Sequence, residues 1–145
     1  MKKKWLAALR IIALIGIIAA ILVYIFVYNK PQPDYAKEKP DFTLNAEQLF
    51  KEFQSNPTTA GAKYNGKVLA VDGNLNSIEK SDSLLIAVFA VEEGMFGDEG
   101  IRFSFIPELR SEIESVAPGT AITIKGYCTG YNDTDVVMEH CSLVK

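Results

Sequence analysis

"KVLAVDGNL", residues 67–75, is where the hydrophobic period of this chain changes from helical to alternating. Val68, Ala70 and Asp72 fall on one side of an extended segment, and Leu69, Val71 and Gly73 on the other, because successive strand side chains point to opposite faces. Gly73 interrupts the pattern. A glycine inside a strand marks a bulge or a sharp bend, and a small barrel needs its first strand to bend hard.

Working outward, "LLIAVFAV" (84–91) is a continuous apolar run of strand length, and "GIRFSFI" (100–106) alternates cleanly. Ile101, Phe103 and Phe105 share one face there and read as core. "PELRSEIESV" (107–116) opens with proline at a first helical position and predicts a short helix. Pro118-Gly119 turns the chain into "AITIKGYC" (121–128), and "VVMEHCSLV" (136–144) supplies a last strand. Upstream, "NAEQLFKEFQSN" (45–56) predicts a helix. Asn45 stands at the cap with Gln48 three residues on, a capping-box pattern, and Ala46, Leu49, Phe50 and Phe53 make one apolar stripe. Asn56-Pro57 ends that helix and starts a second helical turn. The order is helix, three strands, helix, two strands. The expected fold class is therefore mainly β with helices (α+β), a five-stranded OB-fold-like barrel preceded by a helix. A small α+β sheet of another topology fits the same periodicity.

The amino-terminal part obeys a different rule. "IIALIGIIAAILVYIFVY" (11–28) carries no charge. As a helix it spans roughly 27 Å, close to the hydrocarbon thickness of a bilayer. Trp5, Tyr24 and Tyr28 suit the two interfaces. The run passes straight into "VYIFVYNKPQP" without an A-x-A-like site, so it reads as an uncleaved anchor, with a removed signal peptide as the alternative. Lys2, Lys3, Lys4 and Arg10 precede it, and the heavier basic flank stays in the cytoplasm. The expected organisation is a basic cytoplasmic amino terminus (1–10), a transmembrane anchor (11–28) held in the lipid bilayer, a proline-rich linker (29–42) and an exported domain (43–145). The location implied is the bacterial inner (cytoplasmic) membrane, single-pass, with the domain periplasmic or extracellular.

Four of the 15 Lys and Arg precede the span, leaving 11 against 18 Asp and Glu, a net of −7 beyond it. Phosphate backbones and anionic lipid surfaces repel such a domain. Catalytic chemistry finds little to work with. The one histidine, His140, has an acidic neighbour, Glu139, only in sequence, whereas nucleophilic catalysis needs a positioned base. No Gly-rich phosphate loop is present, "NDTD" (132–135) lacks the full calcium-loop spacing, and no cofactor or metal is implied. A non-catalytic binding role is expected.

Cys128 and Cys141 flank the last turn. Two cysteines and a histidine fall short of a four-ligand metal site, and no C-x-x-C redox pair exists. An oxidising compartment and neighbouring strands predict a disulfide between them, a clasp on the final hairpin, with two reduced core cysteines as the alternative. Strand alternation leaves Met138 and Cys141 on opposite faces, so bringing both inward requires a bulge near Glu139 or His140. Tyr127, Tyr131 and Arg102 form the candidate binding face.

"AEQLFKEFQSNPTTAGAKYNGKVLAVDGNL" followed by "GTAITIKGYCTGYNDTDVVMEHCSLV" resembles the tRNA_anti-like family of OB-fold proteins, often exported or membrane-anchored in bacteria. Lys63, Tyr64, Gly66, Lys67, Gly126, Cys128, Thr129, Gly130 and Cys141 carry the resemblance. It implies an OB-fold and, by name, nucleic-acid affinity. Nucleic-acid OB domains need a basic groove with exposed stacking aromatics, and the acidic "EEGMFGDEG" (92–100), Asp133 and Asp135 oppose that. The expected partner is a protein, peptide or glycan, with a nucleic-acid-binding OB-fold protein as the alternative.

Overall fold

The computed structural model describes residues 2–28 and 34–145. The chain divides into two compact units, Met1–Pro33 and Asp34–Lys145. In the first, α1 (Lys2–Val23) continues through a π-helical turn, Tyr24–Tyr28. Lys3–Tyr28 is long and apolar enough to cross a membrane. Residues 29–33 of the expected linker lie outside the described residues.

The second unit runs β1 (Phe42–Asn45), α2 (Ala46–Ser55), α3 (Pro57–Tyr64), β2 (Val68–Asn74), β3 (Ser77–Lys80), β4 (Leu85–Gly94) and β5 (Gly97–Phe105). A 3-10 turn, Pro107–Leu109, leads into α4 (Arg110–Glu114), and β6 (Ala121–Tyr131) and β7 (Asp135–Leu143) close the chain. This is an α+β fold around one open seven-stranded sheet in the order β1-β2-β6-β7-β5-β4-β3. β1–β2 and β5–β7 are parallel, and the other pairs are antiparallel. The expected count of five strands is corrected to seven by β1 and β3, each four residues long.

No bulge forms at Gly73, where β2 stays in unbroken register with β6 from Val68 to Asn74; packing is what requires the glycine. A Cβ there would lie 2.6 Å from Phe89 Cδ2 and 3.1 Å from Ala46 Cβ. Only a hydrogen lets β2 pass so close to β4 and α2. Two residues later the backbone changes partner. Leu75 N donates to Thr120 O beside β6, and Asn76 N donates to Val88 O of β4.

α2 starts where the cap predicts, with Asn45 Oδ1 accepting from Glu47 N at 2.8 Å. The reciprocal half of the capping box is absent, because Gln48 turns away to donate to Glu52. Asn56 caps α3 by accepting from Thr59 N. The two helices are tied by Tyr64 Oη and Lys63 Nζ, both donating to Glu52 Oε2. Burial pushes the Glu52 carboxyl up, but the bonds from Tyr64, Lys63 and Gln48 outweigh it and hold it below the usual range. Leu49, Phe50 and Phe53 of the helical stripe meet Ile101, Phe103 and Phe105 of β5 in one buried core. Fully burying each such side chain stabilises by about 1.5–3 kcal/mol.

Candidate functional site

β5 turns Arg102 outward, because Ile101 and Phe103 on either side are fully buried. It is the only Lys or Arg in β4 and β5. Its guanidinium is already engaged on both sides: Nε donates to Asp135 Oδ2 at 2.9 Å and Nη1 to Glu79 Oε2 at 2.8 Å. Burial works against the charge, but the two carboxylates outweigh it and raise the Arg102 pKa. Asp135 is 6% exposed and also accepts from Gly100 N. Asn132 Oδ1 braces the adjoining turn by accepting from Asp135 N and Thr134 N. A buried carboxylate satisfied this fully is a structural anchor, and Arg102 is a neutralised cation rather than a free anion receptor.

The two tyrosines do not join it. Tyr127 lies on β6, separated from β5 by β7. Its ring packs 5.1 Å from Tyr35, which also sits 5.4 Å from His140. Lys125 Nζ donates to Ala36 O and Glu38 O and fixes the same segment. Residues 34–38 thus cover the Tyr127 ring. Tyr131 faces the other way, against Phe50 and Phe53 of α2 at 6.3 and 5.8 Å. Burial pushes its phenol up, and Glu99, Asp133 and Asp135 add to the shift. Four residues apart on a regular strand, the two tyrosines would share a face. The register shift between Cys128 and Gly130 breaks that parity.

The disulfide expected between Cys128 and Cys141 is not formed. Both are free and fully buried. Register is the reason: Cys128 stands opposite Met138, while Cys141 pairs with Phe105 of β5. Its sulfur lies against Gly126, where a Cβ would come within 2.5 Å of it. The expected bulge near Glu139 or His140 is present, with His140 at φ 52°, and it buries both Met138 and Cys141. Burial pushes the Cys128 thiol up to about 11 and Cys141 well above its ordinary value. Neither is a nucleophile at neutral pH, because the thiolate is the reactive form. Among the described residues no group of three His, Cys, Asp or Glu side chains converges to hold a metal ion.

The motif residues meet one another in space. Gly66 N donates to Cys128 O at 2.9 Å, and Cys128 N to Lys67 O at 3.0 Å. Cys128 Sγ points to Asn65 Oδ1 at 3.8 Å, and Thr129 Oγ1 donates to Val137 O. The segment 63–67 and the segment 126–130 are therefore one clamp between α3, β2 and β6. These bonds stabilise the fold by tying the two segments together through the backbone. Periodicity could not show this, since the bonds join segments about 60 residues apart through the backbone.

The molecule is thus an α+β domain with an acidic strand face and an amino-terminal apolar helix. The chain belongs to the tRNA_anti-like family, whose model matches residues 1–143. Among solved structures it is similar to a Klebsiella pneumoniae lipoprotein described as a candidate nucleic acid-binding protein, at 24% identity and a TM-score of 0.59. That likeness covers 80% of this chain and 100% of the other. A candidate aspartyl-tRNA synthetase of Leishmania major matches at 8% identity and a TM-score of 0.48, over 80% of this chain and 22% of that one. No curated protein matches the sequence.

Proposed function

We propose that this is a membrane-anchored, non-catalytic OB-fold binding module whose partner is a protein, peptide or glycan. The barrel reading is supported by the partner change at Leu75–Asn76. β2 and β3 are two halves of one bent strand, hydrogen-bonded to β6 on one side and β4 on the other. Counting them as one leaves five barrel strands with β1 appended. The ligand face of such barrels is the outward side of the second and third strands, here β4 and β5. The observation that carries the partner class is Arg102, the one cation of that face, held between Asp135 and Glu79. A phosphate backbone would meet no free positive charge there and would face Asp98 and its cross-strand partner Glu93. The apolar helix Lys3–Tyr28 and the basic excess before it support a location at a bacterial cytoplasmic membrane with the amino terminus inside.

A second reading, nucleic-acid binding, is favoured by the description of the Klebsiella neighbour. Affinity purification of the full chain from native membranes after mild cross-linking separates the two. Under the proposal a protein or glycan is retained, and nuclease treatment leaves the yield unchanged. Retained material that nuclease removes would establish the second reading instead.

A further inference from the structure

The β4–β5 hairpin breaks two rules of strand chemistry at the same tip. Its two-residue connection is Met95-Phe96, flanked by the paired glycines Gly94 and Gly97. Such turns favour Asn, Asp and Gly, whose backbones reach the positive φ the tight turns require. Met95 and Phe96 offer no such advantage, and neither adopts positive φ. They are instead 91% and 96% exposed, two large apolar side chains held out in water beyond the end of the sheet.

Behind them the register sets Glu92 directly opposite Glu99 and Glu93 directly opposite Asp98. Like charges opposite one another on neighbouring strands destabilise a hairpin. Among the described residues no Lys or Arg pairs with any of these four carboxylates. Their partners are neutral amides, Gln54 to Glu92 and Asn76 to Asp98. Violations of local preference gather at functional sites, and exposed apolar surface rimmed by polar groups marks an interaction site.

We infer that the Met95-Phe96 tip is a docking knob for another protein that presents an apolar patch bordered by Lys or Arg. The apolar pair enters the patch, and the cations relieve the stacked carboxylates behind it. Charge decides the occupant. An anionic leaflet repels the four carboxylates, and a second copy of this net-negative domain brings more of the same sign. The inference deepens the binding-module reading by naming the surface and the chemistry of the partner.

The test uses the full chain in phosphatidylcholine nanodiscs, titrated with a fluorescent amphipathic helix of leucine and lysine and with an all-lysine peptide of equal charge. The Met95→Ser/Phe96→Ser variant should bind the amphipathic peptide about tenfold more weakly, the loss expected for an anchor residue, and bind the all-lysine peptide unchanged. Phe96→Leu should restore the affinity, and replacing the four carboxylates with amides should flatten its salt dependence. Equal binding of the amphipathic peptide by wild type and the double serine variant would overturn the inference. So would a dye at position 96 reporting insertion into the lipid without peptide, or a self-association that the double variant abolishes. Nuclease-resistant retention of a partner does not depend on residues 95 and 96, so failure of the knob and failure of the binding-module reading give different results.

Discussion

Gly126→Ala is the sharpest probe of how the final strands pack. The new methyl carbon would lie 2.5 Å from Cys141 Sγ, 3.1 Å from Glu139 O and 3.3 Å from Cys141 Cα. Cys141 is fully buried, so its sulfur has no open side to move into. Overpacking of this kind costs about 1–3 kcal/mol, which for a domain of this size lowers Tm by about 4–12 °C. Cys141→Ala alone empties a small volume and costs about 1 kcal/mol. Combined, the two substitutions are not additive, because the second removes the atom that the first strikes. The double variant should recover at least about 1 kcal/mol relative to the sum. Recovery is partial, since Glu139 O remains close. Thermal and urea unfolding of the four proteins, followed through the tyrosine signal, measures the cycle. A neutral Gly126→Ala, or strict additivity, would refute the packing described for β6 and β7.

Other outcomes follow from the same geometry. The two thiols should resist a disulfide-forming reagent at neutral pH in the folded protein and react fully once it is denatured. Because the folded pKa of Cys128 is raised from 9.0 to about 11, its contribution to stability is fully present below pH 9 and is lost as pH rises through about 11, readable as a falling urea midpoint. Asp135→Ala should cost about 3 kcal/mol by leaving Arg102 and Gly100 N without their acceptor, and Arg102→Ala should cost about as much by leaving the buried Asp135 carboxylate without its cation, measured by the same unfolding. An alkaline phosphatase fused after Lys145 should be active, and an inactive fusion would reverse the orientation.

Most of the architecture was legible because long periodic segments announce themselves. The stripe of α2 and the alternation of β5 rest on local side-chain pattern, and the structure places them accordingly; the turn away from β6 comes at Leu75–Asn76 rather than at Gly73. β1 and β3 escaped because four residues are too few for a period to show. The errors at the candidate site share one cause, counting parity through bulges. Tyr127 and Tyr131 separate because β6 slips between Cys128 and Gly130. The bulge at His140 was foreseeable from the need to bury both Met138 and Cys141, yet the partner of Cys141 was not. Its place against Gly126 and Phe105 depends on register with two strands at once. The packing of Tyr35 on Tyr127 was hidden for a different reason. Its segment is polar and proline-rich, and one lysine, Lys125, fixes it through backbone carbonyls.

The most direct test of the binding-module account is an anisotropy titration of the full chain with fluorescent single-stranded oligonucleotides at low salt, about 50 mM. The account predicts no saturable binding up to about 100 μM, because the one cation of the β4–β5 face is already neutralised. Micromolar affinity that falls steeply as salt rises would contradict it.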